Sequence, residues 1–191
     1  TSQQLALSWI ELSTGKFFTA NTSEQDLTSD LARIEPSELI MSQNLAEQEF
    51  IKESLLGLNI ATTQLPGNLF DSASASKQLC DYFNVQSMDG FGTYSKVELT
   101  SAAAILNYVE KTQLAEKPAL SHPQSQSSSK VMLIDAATRI NLELSKTLSG
   151  ERQGSLLKAI DRTVTGPGAR ELATRLMAPL ISKPSIVRRL D

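Results

Sequence analysis

Between Ala137 and Leu180, apolar residues recur three and four positions apart: at 137, 140, 144 and 148, then 156, 157, 160 and 164, then 169, 172, 173, 176 and 180. That repeat belongs to helices that each bury one stripe, so residues 131–191 are expected to form a set of short amphipathic helices. The breaks between them have chemical reasons. Gly150 and Gly154 separate the first two helices. Pro167 suits a first turn, where no intrahelical amide bond is lost, and Pro179 closes the third helix.

The preceding sequence has another rhythm. Leu5 to Leu12 alternates in β-type residues, Ser13-Thr14-Gly15-Lys16 suits a tight turn, and Phe17 to Ala20 returns, which predicts a hairpin. Asp26 to Ile34 reads as a short helix with Leu27 and Leu31 inward, stopped by Glu35-Pro36, and Glu38 to Met41 as a third strand. A polar helix around Leu45–Leu56, a strand near Asn59–Gln64 and a turn at Leu65-Pro66-Gly67 follow. Asp71 is placed to cap a helix from Ser72 to Phe83, with Ala75, Leu79 and Phe83 on its inner stripe. A longer helix from Val97 to Gln113 buries Leu99, Ala102, Leu106 and Val109. Strands interleaved with helices in this way predict a mixed α/β layer structure.

Pro118 to Ser129 is polar and low in complexity, and reads as linker. The expected organisation is therefore a first domain over 1–118, a linker over 119–130 and a helical segment over 131–191. Charge divides along the same line. Residues 1–130 carry 8 Lys+Arg against 15 Asp+Glu, and residues 131–191 carry 10 against 6. An acidic first domain is poorly suited to wrapping a phosphate backbone. No run approaches the roughly 18 apolar residues of a membrane span. One cysteine, Cys80, allows no internal disulfide and fits a reducing cytoplasm. A start at Thr1 without Met and an end at Leu190-Asp191 read as a piece of a longer protein.

Several groups of residues, taken in order, carry a resemblance. Asp135-Ala-Ala-Thr138-Arg139-x-Asn141-Leu142-Glu143, Ser155-Leu156-Leu157, Asp161-x-Thr163-x-Thr165, Gly168-x-Arg170 and Pro179-Leu180 resemble the start of the lever domain of the MutS family of mismatch-recognition ATPases. Arg175 stands where many relatives have Trp, and Gly166-Pro167 replaces the usual Pro-Met. Upstream, Ile10-Glu-Leu-Ser-Thr-Gly15, Pro36-x-Glu38-Leu39, Gly90-Phe-Gly92 and Asn107-Tyr108-x-x-x-Thr112-Gln113 are similar to the connector domain of the same family. The resemblance covers essentially the whole chain. It implies a ribonuclease H-like mixed sheet with flanking helices, followed by an all-α segment.

The same resemblance implies a coupling role between mismatch-binding and ATPase domains, and a surface offered to MutL. Mismatched double-stranded DNA, a homodimer, and ATP with Mg²⁺ would then belong to the parent protein. Ser74, Lys77, Gln78 and Asp81 are the candidate MutL-contact residues, on the helical face opposite Ala75, Leu79 and Phe83. A ribonuclease H-like fold also raises a metal-dependent nuclease as the alternative, for which Glu11, Glu38 and Asp71 are the available carboxylates.

Other chemistry is not encoded. No Gly-x-x-x-x-Gly-Lys-Ser/Thr run exists to cradle phosphates, so no nucleotide site is expected in these residues. His122, the single histidine, lies in the Ser-rich stretch, away from any metal or nucleophile constellation. Tyr108-Val109-Glu110 mimics an aromatic wedge with a nearby glutamate, but it falls inside a predicted helix whose Val109 points inward. No catalytic, cofactor or metal residues are expected.

Overall fold

The computed structural model of the protein describes residues 4–112, 118–126 and 131–190. The chain divides into two compact units. One comprises Thr1–Leu27 and Pro36–Gln126, the other Thr28–Glu35 and Ser127–Asp191.

In the first unit, β1 (Leu5–Glu11) and β2 (Lys16–Thr22) form the expected antiparallel hairpin, with Trp9 opposite Phe18 and Glu11 opposite Lys16. Its turn is closed by the amides of Thr14 and Gly15 donating to the Glu11 carbonyl. Gly15 has φ +70°, and a β-carbon there would meet the Ala119 carbonyl oxygen at 2.3 Å. Two constraints thus select glycine: the left-handed backbone and the close approach of another segment.

After β3 (Glu38–Ser42), the polar stretch makes two helices rather than one, α2 (Gln43–Ala46) and α3 (Glu49–Leu55). They cross over to β4 (Ala61–Leu65), which pairs parallel with β3. The strands make two small sheets, ordered β1-β2-β5 and β3-β4, with β5 at Gln124–Ser125. Helix α4 (Ala75–Phe83) starts three residues later than expected, because the Asp71 carboxylate holds a preceding turn by accepting from the amides of Ala73 and Ser74. Asn84, at φ 54°, ends it. Helix α5 (Lys96–Thr112) is the longest of the described helices. Phe17, Ala75, Leu79, Met88, Ala102, Ala103 and Leu106 form the core where the hairpin meets α4 and α5.

The linker expectation is corrected over its described part. Residues 118–126 pack into the first unit. The Ser121 amide donates to the Gly15 carbonyl at 2.7 Å, and its hydroxyl accepts from the Phe17 amide. Strand β5 pairs parallel with β2, setting Phe18 against Gln124 and Thr19 against Ser125. Pro123 is fully buried, and Tyr82 and Tyr94 donate to the carbonyls of Pro118 and Pro123. Polar composition suggested a solvated tether, but these serines and carbonyls find hydrogen-bond partners on the hairpin and helices. Residues 127–130, the rest of the expected linker, lie outside the described residues.

In the second unit, α6 (Ala136–Asn141), α7 (Leu156–Ile160), α8 (Gly166–Met177) and α9 (Lys183–Leu190) are accompanied by residues 28–34 of α1 (Leu27–Ile34) and by Glu35, which follows it. An isolated antiparallel bridge joins Val131 to Leu180, so the segment is not purely helical. The long stripe expected from Ala137 to Leu148 does not form one helix. Glu143 takes φ 48° two residues after α6 ends, turning the chain. Leu144, Leu157 and Met177 are buried, whereas Ile140, Leu148, Leu156, Ile160 and Val164 are exposed, Val164 at 97%. The buried residue of α6 is Arg139, not Ile140.

Candidate functional site

The four residues anticipated as a partner surface divide in two. Lys77 and Asp81 lie on the solvent side of α4 and form an exposed ion pair at 3.4 Å. Gln78 turns toward α5: its Oε1 accepts from Asn107 Nδ2 at 2.7 Å, and its Nε2 donates to the Ser74 hydroxyl at 3.0 Å. Ser74 and Gln78 are half-buried. The free face of the helix is therefore narrower than the helical wheel indicated, and it is carried by Lys77 and Asp81.

The three carboxylates weighed for metal chemistry have separate local tasks. Glu11 accepts from the hydroxyls of Ser13 and Thr14 at the hairpin turn. Glu38 accepts from Thr63 at 2.6 Å and Tyr108 at 2.7 Å, and these bonds, Thr63's first, hold its carboxyl below the usual range. The same bond to Glu38 pushes the Tyr108 hydroxyl up. Asp71 is held down chiefly by the Ala73 amide. Among the described residues, no group of three or more His, Cys, Asp or Glu is placed to hold a metal ion. Val109 is buried within α5, as the sequence required.

The motif residues of the second unit serve mainly as helix punctuation, and they fall into three neighbourhoods. In the first, Asp135 caps α6 by accepting from the Thr138 amide at 2.8 Å and hydroxyl at 2.6 Å, which lowers its pKa. Arg139 donates to the carbonyls of Ile134 and Met177, and the Met132 amide donates to the Pro179 carbonyl. Both ends of the motif series thus meet around one guanidinium, and burial lowers the pKa of that group. Asn141 ends α6 on the exposed side.

In the second neighbourhood, the Glu143 carboxylate accepts from the Leu148 amide, and its carbonyl accepts from Leu156 at the start of α7. In the third, Asp161 follows α7 and accepts from the Thr163 hydroxyl at 2.6 Å, the chief cause of its lowered pKa. Arg152 pairs with its other oxygen at 3.1 Å. Thr165 caps α8 through the Gly168 amide, and a β-carbon on Gly168 would press on that hydroxyl at 3.0 Å. Arg170 follows in the first turns of α8. An open depression of about 500 Å³ lies here, lined by Arg152, Lys158, Asp161, Thr163 and Thr165 among others. Arg175 pairs with Glu171 at 2.9 Å.

One group escaped the sequence reading. Glu98 is 1% exposed and accepts from the Asn21 amide, the Ser95 amide and the Ser125 hydroxyl. The Ser95 hydroxyl in turn accepts from the Glu98 amide. The signal was present as a capping box, Ser95-x-x-Glu98. What the sequence could not show is that the same carboxylate also ties β2 and β5 to the start of α5.

The family model of MutS domain II matches residues 1–124, and that of MutS domain III matches residues 137–191. The DNA mismatch repair protein MutS of Rhizobium meliloti (strain 1021) is 48% identical over 186 residues, covering 97% of this chain and 20% of that protein. The protein of the same name from Nitrobacter winogradskyi is 47% identical over 188 residues, covering 98% and 21%. The chain belongs to the MutS family, and it spans about a fifth of the length of these curated relatives.

Proposed function

We propose that this chain is the connector and the beginning of the lever of a MutS-type mismatch-recognition protein, coupling the mismatch-binding and ATPase parts of its parent. The observation that carries the reading is the succession of two domain matches, in family order, with 48% identity along nearly the whole chain. In this reading the first unit is a ribonuclease H-like fold used as a mechanical and docking element, and the second unit is a mainly helical lever segment. The parent is a cytoplasmic homodimer acting on mismatched double-stranded DNA. ATP and Mg²⁺ do not fit the residues present, since these 191 residues contain no phosphate-binding loop, and they belong to other parts of the parent. The nuclease alternative has no support, because Glu11, Glu38 and Asp71 are each committed to local hydrogen bonds.

The partner surface for MutL is read as the exposed side of α4 centred on Lys77 and Asp81. The test is Lys77→Glu combined with Asp81→Lys in the full-length parent, which keeps an ion pair while inverting both charges. Exposed pairs of this kind contribute about 0.3–0.5 kcal/mol, so folding is preserved. ATP-dependent MutL recruitment should fall at least about tenfold, a loss of roughly 1.4 kcal/mol, with mismatch binding and ATPase unchanged. Recruitment equal to wild type removes α4 as the docking face.

A further inference from the structure

Residues 118–126 run through the first unit without helix or turn, held by bonds of the kind that hold a bound peptide. A peptide that adds to a sheet edge draws affinity from main-chain hydrogen bonds and selectivity from pockets for its side chains. Both are present here. The Ser121 amide donates to the Gly15 carbonyl and the Gln126 amide to the Thr19 carbonyl, each at 2.7 Å. Strand β5 sets Gln124 and Ser125 against Phe18 and Thr19. Two tyrosines complete the main-chain set, Tyr82 donating to the Pro118 carbonyl and Tyr94 to the Pro123 carbonyl. Burial pushes the pKa of both hydroxyls up, so both remain O–H donors at neutral pH.

The side chains are read in succession. Leu120 packs against the core of the first unit. The His122 ring stacks on Phe91, with centroids 3.6 Å and planes 10° apart, and Phe83 flanks it at 4.7 Å. Pro123 is fully buried. Ser121, by contrast, is exposed. The fit therefore selects an apolar residue, a small polar residue, a planar ring and a proline. The grip is also local. Strand β5 is two residues long, and Phe91, one wall of the ring slot, is 41% exposed. Segments held by few and partly exposed contacts open at lower free energy than the core they lie on.

We propose that the far edge of β2, with Tyr82, Phe83, Phe91 and Tyr94, is a peptide-binding groove that residues 118–126 occupy in cis. In trans it takes an extended partner peptide with the same succession of apolar residue, small polar residue, planar ring and proline. Residues 118–126 then act as a tethered competitor. A tethered ligand holds its site at high effective concentration, so the groove stays closed to a free peptide until this segment lifts. The inference goes beyond the coupling role and does not rest on it.

Two measurements on the whole chain test the proposal. In the wild type, native-state hydrogen exchange at the Ser121 and Gln126 amides, corrected for intrinsic rates, should be at least about tenfold faster than at Leu106 in α5. The second measurement uses a labelled synthetic peptide with the sequence of residues 118–126. It should bind the His122→Ser, Pro123→Ser chain at least about tenfold more tightly than the wild type, whose groove is filled. Adding Phe91→Ala should remove that gain, and so should serine at both ring positions of the peptide. If the double variant does not fold, His122→Ser alone carries the comparison. The proposal is overturned if Ser121 and Gln126 exchange only in step with Leu106, if both chains bind the peptide equally, or if the gain survives Phe91→Ala. It is also overturned if the released chain pairs with a second copy and the peptide does not compete. None of these readings involves MutL, so the docking face on α4 stands or falls separately.

Discussion

The Arg139 guanidinium, 5% exposed, donates to the main-chain oxygen of Met177 at 2.7 Å. That oxygen belongs to the last residue of α8, where helix carbonyls have run out of intrahelical donors, so a cation serves both as hydrogen-bond partner and as complement to the helix dipole. Arg139→Met keeps much of the side-chain length but leaves the carbonyls of Ile134 and Met177 without this donor. It should cost about 2–4 kcal/mol in urea unfolding. Arg139→Lys should recover only part of that, being a single point donor. A methionine variant within about 0.5 kcal/mol of wild type contradicts the assignment.

Glu98 should behave as the node of the first unit. Glu98→Ala strands the donors of Asn21, Ser95 and Ser125 and is expected to cost about 2–4 kcal/mol. Glu98→Gln should be milder, because the Ser125 hydroxyl is able to accept where it now donates. Exchange of the Gln126 amide, which donates to the Thr19 carbonyl, should rise with the loss of stability. Equal costs for the two substitutions would argue against this hydrogen-bond arrangement.

Gly15 and Gly57 separate backbone strain from crowding. Both have positive φ, +70° and +79°, but only at Gly15 does a β-carbon meet another segment, the Ala119 carbonyl. Gly57→Ala should cost about 1 kcal/mol from the left-handed backbone alone, and Gly15→Ala distinctly more. The comparison is read from urea midpoints at constant slope. Similar losses at the two positions mean that residues 118–126 do not press on the turn.

Acid should loosen the second unit through Asp135 and Asp161. Bonds from Thr138 and Thr163 hold both carboxyls below their ordinary range, so each ionises more readily folded than unfolded. The stability they contribute is fully present above the unfolded carboxylate value, about pH 3.9, and is lost as pH falls through the lower folded values. Asp135→Asn with Asp161→Asn should flatten the acid limb of stability against pH, followed by exchange at the Ala169 and Ala178 amides. An acid limb as steep as wild type would show that other groups carry it.

Neither ATP hydrolysis nor Mg²⁺- or Mn²⁺-dependent nucleic-acid cleavage is expected from this chain. Turnover above blank that disappears in Glu11→Gln would contradict that expectation, because the Glu11 carboxylate accepts from Ser13 and Thr14 at the hairpin turn.

Much of the architecture was legible because local chemistry and tertiary packing agree there. The hairpin follows from β-type alternation around Gly15, and Pro167 marks the first turn of α8. Where they disagree, the sequence misleads. The stripe through Ile140 and Leu148 has helical spacing, but the inward position on α6 goes to Arg139, whose charge is served by the nearby Ile134 carbonyl and by the Met177 carbonyl far along the chain. Gln78 looked like surface because α5 is invisible to a helical wheel drawn for α4. Residues 119–126 looked solvated because hydrogen-bond satisfaction by distant groups leaves no compositional mark.

The pairing of β2 with residues 118–126 also dictates an order of events during synthesis. The Phe17 amide and the Ser121 hydroxyl that receives it are separated by 104 residues. At roughly 5–20 residues per second, the hairpin emerges from the ribosome with the far edge of β2 open for on the order of ten seconds before its partner strand exists. An open strand edge invites pairing with other nascent chains. Lys16, Asn21 and Thr22 on that strand supply charge and polarity during the wait, and the arrival of Gln124 and Ser125 ends it.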